Sequence, residues 1–454
     1  MGTLAFVLGV LFMATGLALS IALHEVGHLV PAKRFGVRVT QYMVGFGSTV
    51  WSRRRGETEY GVKAVPLGGY IRMIGMFPPR PEDPPGTVRA SSTGRFGQLM
   101  EEARSASMEE VGPGDQDRVF YKLSVPKKLV VMLGGPTMNL LIGVVLLTFL
   151  VTVHGVQTPR PGAEVVSVER CVVPAAEYTA QTTCDGRPQT PALAAGIEPG
   201  DRFVSIAGQP VTDLQDVSSL IRPEAGRPVD IVVERDGEEL TLTATPTTNV
   251  LPVIDPDGNP VTDASGAVET TTAGFLGITS RQPTEYERQA LSAVPGIVWG
   301  YTTLTADALV HVPERMAGVW GAAFSGAERE PDSPMSVVGV GRVAGEVGSG
   351  RYDALLGDSF SDKLWTLVGL LAALNIMLFV FNLIPLLPLD GGHVAGALWE
   401  GAKRQWARLR GRPDPGYVDV AKALPIAYSV SVVLIGASLL LMYADIVSPV
   451  KLGG

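Results

Sequence analysis

The sequence predicts a polytopic α-helical membrane protein with about four transmembrane helices, a membrane-associated β-hairpin or sheet, and an extracytoplasmic α+β domain. Three observations carry that prediction. Only 18% of the 454 residues are charged and mean hydropathy is +0.23, a balance unusual for a soluble chain. Four stretches, 4–30, 129–153, 364–384 and 424–443, are apolar over the roughly 20 residues that cross a hydrocarbon core as a helix. Between the second and third, strand-like alternation is punctuated by Gly-rich turns.

Taken in order, residues 1–31 read as a retained first span, because a basic leader and a small-residue cleavage site are both missing. Residues 32–126 read as a cytoplasmic, membrane-dipping β region: 39–74 alternates around paired glycines and the turn Arg55-Gly56, and 78–114, rich in Pro, Ser, Gly and acidic residues, reads as a mobile insertion. The second span is 127–154. Within 155–282, Ala195-Gly196-Ile197-Glu198-Pro199-Gly200-Asp201 leads into a strand at 202–206 and a turn at Gly208-Gln209-Pro210. A short helix at 214–221 and a hairpin about Asp236-Gly237 follow. That order resembles bacterial PDZ domains. Residues 283–362 carry Trp299, Tyr301 and Trp320 in a weakly amphipathic stretch, suited either to the outer membrane surface or to packing on the preceding domain. The third span with its trailing motif occupies 363–400, a loop 401–420, and the fourth span 421–445.

Orientation follows the positive charge. Lys33, Arg34, Arg38, Arg53, Arg54, Arg55, Lys127 and Lys128 follow the first span, and Lys403, Arg404, Arg408, Arg410 and Arg412 follow the third. Both loops are therefore cytoplasmic, which puts the N-terminus, 154–362 and the C-terminus outside. The net charge of −8 is scattered and contains no long basic tract, so nucleic acid is not an expected partner. The two cysteines, Cys171 and Cys184, are too few for a disulfide framework; outside the cell they are either one disulfide or two free thiols.

The chemistry is concentrated in His24-Glu25-Val26-Gly27-His28, at the end of the first span. Histidines at i and i+4 share one helix face and can ligate one metal, with Glu25 beside an attacking water as its base. With five histidines in the chain, chance produces such a string on the order of a few times in a thousand. A carboxylate in a membrane helix costs about 2.5–3.5 kcal/mol unless it faces a cavity or partner. Catalytic zinc keeps three protein ligands, and the strongest third candidate is Asp390, in Asn382-Leu383-Ile384-Pro385-Leu386-Leu387-Pro388-Leu389-Asp390-Gly391-Gly392, where the third span ends. The first and third spans run in the same direction, so both half-sites fall at similar depth. Pro385 and Pro388 forbid a regular helix there, and irregular backbone at that depth requires protein cover or a wet cavity. His393 is a weaker ligand candidate; His154 and His311 have no partner motif.

These two motifs together resemble the site-2 protease family of zinc intramembrane metalloproteases. The resemblance continues through Val44-Gly45-Phe46-Gly47, Pro66-Leu67-Gly68-Gly69-Tyr70, Gly135-Pro136-Thr137-Met138-Asn139, Gly274-Phe275-Leu276-Gly277-Ile278 and Ser333-Pro334-Met335-Ser336. It implies one Zn2+ held by His24, His28 and Asp390, Glu25 as general base, and Asn382 hydrogen-bonded to substrate. It also implies a sheet that presents substrate as an added strand near Gly45, Gly47, Gly68 and Gly69. By the same resemblance the protein sits in a bacterial plasma membrane and cleaves single-pass proteins, anti-sigma factors already trimmed by an upstream site-1 protease, which releases a sigma factor. The insertion 78–114, the stretch 171–184 and the turn-rich 255–271 depart from the family pattern outside its motifs. A non-catalytic PDZ scaffold and a metal transporter are the alternative readings.

Overall fold

A computed structural model describes residues 2–78, 111–112, 114–174, 184–253, 261, 268–326, 329–330, 332–352, 356–357 and 359–450. Most of the 78–114 insertion and most of the 255–271 segment lie outside the described residues. In chain order come α1 (Gly2–Arg34), β1 (Val39–Arg55), β2 (Thr58–Met73), α2 (Val125–Phe149), β3 (Val156–Pro159), β4 (Ala163–Val168), α3 (Pro191–Ala195), β5 (Arg202–Ile206), β6 (Gln209–Pro210) and α4 (Leu214–Ile221). There follow β7 (Val229–Arg235), β8 (Glu238–Ala244), β9 (Thr247–Pro252), β10 (Thr270–Phe275), β11 (Ile278–Arg281) and β12 (Thr284–Glu287). The chain continues as α5 (Val294–Val310), α6 (Val312–Phe324), α7 (Val337–Ser349), α8 (Phe360–Asn382), α9 (Asp390–Leu409) and α10 (Leu424–Val447). It forms two compact units, one of Met1–Val153 with Gln289–Gly454, the other His154–Arg288.

In the first unit α1, α2, α8 and α10 are the four described helices long and apolar enough to cross a membrane. At 33 residues α1 is about 50 Å long, so it outruns the roughly 30 Å hydrocarbon core. Between α1 and α2 the close approach is made by glycines. A Cβ on Gly134 would collide with the Gly27 carbonyl oxygen, and one on Gly27 with that of Gly134. Pro31 lies four residues after Gly27 and has no N–H, so the Gly27 carbonyl has no helical partner and is free to face the neighbour. At its other end α1 packs on α7, where Gly9 meets the Ala344 carbonyl and Gly345 the Phe6 ring. Residues 283–362, read from sequence as suited either to the outer membrane surface or to packing on the preceding domain, include α5, α6 and α7 among the described residues, and Gly-rich α7 is the least expected.

β1 and β2 are long and bent, and their double register makes a sheet of four segments. Residues 39–44 pair with 69–73 on one side and with 59–62 on the other, and 49–55 pair with 58–63. Gly45, Gly47 and Gly68 allow the bends, with φ of +95°, +85° and +119°. Tyr42 Oη donates to the Ala22 carbonyl at 2.8 Å and ties the sheet to α1.

The third span differs from its sequence reading at its end. The helix stops at Asn382, Pro385 and Pro388 keep the chain irregular, and Asp390 opens a new amphipathic helix, α9. Lys128 on α2 and Glu400 on α9 form a buried ion pair at 2.8 Å, to which Arg404 adds a bond at 3.2 Å.

The second unit is built on a sheet of order β11-β4-β5-β7-β8, with β6 paired to β5. Its core gathers Phe203, Ile206, Ile231, Val233, Ile197 and Ile221. Helix α4 begins in a capping box of Asp213 and Asp216. Asp236 and Gly237, at φ of +52° and +81°, close the β7–β8 hairpin as a two-residue turn with both residues left-handed. Behind the Gly-turn, Arg235 holds Asp201 by two bonds of 2.7 and 2.8 Å. Burial pushes the Asp201 carboxyl up, yet Arg235 and the Glu198 N–H outweigh it and hold it below the usual carboxylate range. Cys171 and Cys184 are joined in a disulfide. The strand, helix and hairpin order is PDZ-like.

Candidate metal centre

Helix α1 presents His24 and His28 one turn apart toward α2 and α9. The proton of each ring decides what it can bind. His28 Nδ1 lies 2.7 Å from the Val131 carbonyl oxygen, which can only accept, so the proton is on Nδ1 and Nε2 keeps its lone pair. His28 Nε2 and His24 Nε2 are 3.2 Å apart. Asp390, first residue of α9, brings Oδ2 to 3.3 Å from each of them. That carboxylate oxygen is buried and makes no hydrogen bond.

Three donors thus form a nearly equilateral triangle with edges of 3.2–3.3 Å. A tetrahedral site with bonds of about 2.0–2.1 Å has ligand–ligand edges of about 3.3–3.4 Å. Two imidazoles and a carboxylate whose donor oxygen is otherwise orphaned therefore fit a zinc ion, with one tetrahedral position left over. The collar of this site is glycine. A Cβ on Gly135 of α2 would overlap His28 Nε2 and stand 2.7 Å from His24 Nε2.

Glu25 is buried beside the triad and faces the sheet: a Cβ on Gly69 would lie 3.0 Å from Glu25 Cγ. Gly69 belongs to the 69–73 segment, whose outer edge pairs with no other strand among the described residues. A Cβ on Gly68 would meet the Phe46 ring and one on Gly45 would stand 2.7 Å from the Val65 carbonyl oxygen, and with Gly47 both have positive φ, so all three serve the bends. The Asn382 amide donates to the Leu378 carbonyl at 2.9 Å, back along its own helix, so here it is not turned onto the triad. His393 falls outside the donor cluster.

Sequence reasoning gave no role to Gly134, Gly135, Asn139 or the Val131 carbonyl. Asn139 had a signal of its own, being an amide within a transmembrane span.

The profile of peptidase family M50 matches residues 12–413. The chain belongs to peptidase family M50. It is thereby an intramembrane metalloprotease of the site-2 type, a family that uses zinc. The chain is 34% identical to "Zinc metalloprotease Rip1" of Mycobacterium tuberculosis (strain H37Rv), over 98% of its length and 99% of the relative's. It is 32% identical to the protein of that name from Mycolicibacterium smegmatis over the same shares, and 26% identical to "Metalloprotease MmpA" of Caulobacter vibrioides over 89% and 88%. M50 membership leaves the scaffold and transporter readings without support.

Proposed function

We propose that this M50 peptidase cuts single-pass membrane proteins inside the bilayer, with zinc held by His24, His28 and Asp390 and with Glu25 as general base. The observation that carries the assignment of ligands is the triangle of donors with tetrahedral edges. When bound, zinc supplies Lewis acidity toward the scissile carbonyl and toward the attacking water. Glu25 takes the proton from that water as the oxygen–carbon bond forms, and returns it to the amine nitrogen as the carbon–nitrogen bond breaks. The carboxylate is in place because α1 puts it one residue from His24 and the sheet closes over it.

A transmembrane helix hides its amides, so substrate must unwind before the cut. The unpaired 69–73 edge beside Glu25 suits an extended segment added as a strand. In that role Gly69 leaves room for Glu25 beside the edge, Gly45, Gly47 and Gly68 shape the bends that present it, and Asn382 turns its amide to the added strand. Phe46, Val50, Trp51, Val62 and Val65 are exposed at the bent end of the sheet; that end dips into the membrane while the arginine end stays in water. Exposed Trp299, Leu304 and Trp320 on α5 and α6 suit the outer interface.

The basic loops orient the chain in a bacterial plasma membrane with the PDZ-like unit outside. That unit has a groove of about 160 Å³ between α4 and the edge strand β11, lined by Val217, Ile221, Phe275 and Leu276, which suits a freshly cut apolar C-terminus. Substrates are then proteins first trimmed outside by a site-1 protease, with anti-sigma factors the substrate class. In membranes carrying a tagged, pre-trimmed single-pass substrate, Glu25→Gln abolishes the product that wild type makes at equal expression. Equal product from both assigns the cut to another enzyme.

A further inference from the structure

The face of α2 that meets the histidines carries one side chain the metal reading does not use. Asn139 is 1% exposed, one turn beyond Gly135. Its amide Nδ2 stands 3.1 Å from His24 Nδ1, and its Oδ1 is buried without a partner.

A neutral imidazole has one ring proton, and its place decides which nitrogen can bind a cation. His28 has its proton on Nδ1, held by the Val131 carbonyl. His24 Nε2 points at the same carboxylate oxygen as His28 Nε2, each at 3.3 Å. For both to ligate one cation, His24 too must keep its proton on Nδ1, and that N–H needs an acceptor. Asn139 is the partner the structure gives it. With Nδ2 toward the ring the amide donates, the ring proton moves to Nε2, and Nε2 is lost as a ligand. A half-turn of the amide brings Oδ1 to Nδ1–H instead, and nothing anchors Oδ1 against that turn. The half-turn exchanges one unpartnered buried atom for another, so the choice is decided at His24.

We infer that Asn139 is a positioning residue for the metal site: its Oδ1 accepts from His24 Nδ1–H and fixes the tautomer and plane of that ring, as the Val131 carbonyl does for His28. Partners of this kind behind metal-bound histidines orient the ring and raise its basicity. The inference rests on the reading of His24, His28 and Asp390 as zinc ligands.

The test titrates purified full-length protein with zinc against competing chelators and measures thermal unfolding of the metal-stripped chains. Asn139→Leu, which fills the space and accepts nothing, weakens zinc binding about 10–100-fold, while Asn139→Asp, which still accepts, stays within about threefold of wild type. Stripped proteins unfold together. Asn139→Ala replaces the leucine variant where that one does not fold. Wild-type zinc affinity in Asn139→Leu overturns the inference, and so does an equal loss in Asn139→Asp, which would mean that shape alone matters. If wild type binds no zinc, or Asp390→Ala binds it equally well, the metal reading fails and this inference falls with it.

Discussion

At Gly135 a single added methyl group would overlap His28 Nε2 and press on His24, while the backbone there is ordinary helix that alanine favours over glycine. Gly135→Ala therefore separates helix stability from site geometry. Its expected outcome is kcat/KM lowered about 100-fold, the scale of loss from misplacing a reacting group by about 1 Å, with an unfolding temperature lowered as far as the buried His28 ring resists the overlap. Gly436→Ala on α10, where a Cβ meets nothing within 4 Å, is the control: it raises the unfolding temperature slightly and leaves kcat/KM unchanged. Gly134 and Gly27 act in the same way one step further out, since each backbone carbonyl occupies the place of the other's missing side chain. Such residues are poorly legible in a sequence with 53 glycines, because their meaning lies in which helix comes opposite. His24, Glu25 and His28 are legible because their spacing alone puts them on one helix face.

Among the elements, α9 carries the third donor and is clamped far from it. Glu400 lies ten residues after Asp390 and is buried against Lys128, with Arg404 and the Val418 N–H as further partners. Breaking a buried pair leaves an uncompensated charge and costs about 3–5 kcal/mol. Glu400→Leu is expected to lower stability by that amount, with much of the loss regained in Lys128→Met/Glu400→Leu, as measured by unfolding in detergent. A loss near zero for the single variant would mean the pair does not hold α9. Pro385 and Pro388 announce irregular backbone after the third span, but not that a helix restarts at Asp390; that depends on α2 offering a surface for the amphipathic face. Helix α7 was hidden for a similar reason: Gly339, Gly341, Gly345 and Gly348 argue against a helix by propensity, and contact with α1 overrides them. In the PDZ-like unit the turns and strands were legible nearly to the residue, because Asp236-Gly237 and the alternation of β7 and β8 are local signals.

For the whole molecule, the donors are separated by 362 positions of sequence between His28 and Asp390 and meet only because α1 and α8 cross in the same direction. Span count and positive charge carried that much; the depth of the cut within a substrate was not legible. In the proposed reaction hydrolysis takes place beside the unpaired sheet edge, at the end of α1 that the proposed orientation puts on the cytoplasmic side. Mass spectrometry of the products of a single-pass substrate, cut by purified wild type in liposomes of defined lipid, reads that depth directly. The expected result is new termini inside the apolar segment, toward its cytoplasmic side, absent with Glu25→Gln, and absent from wild type under a zinc chelator until zinc is added back. Termini in a water-exposed loop, or the same products from Glu25→Gln, would contradict it.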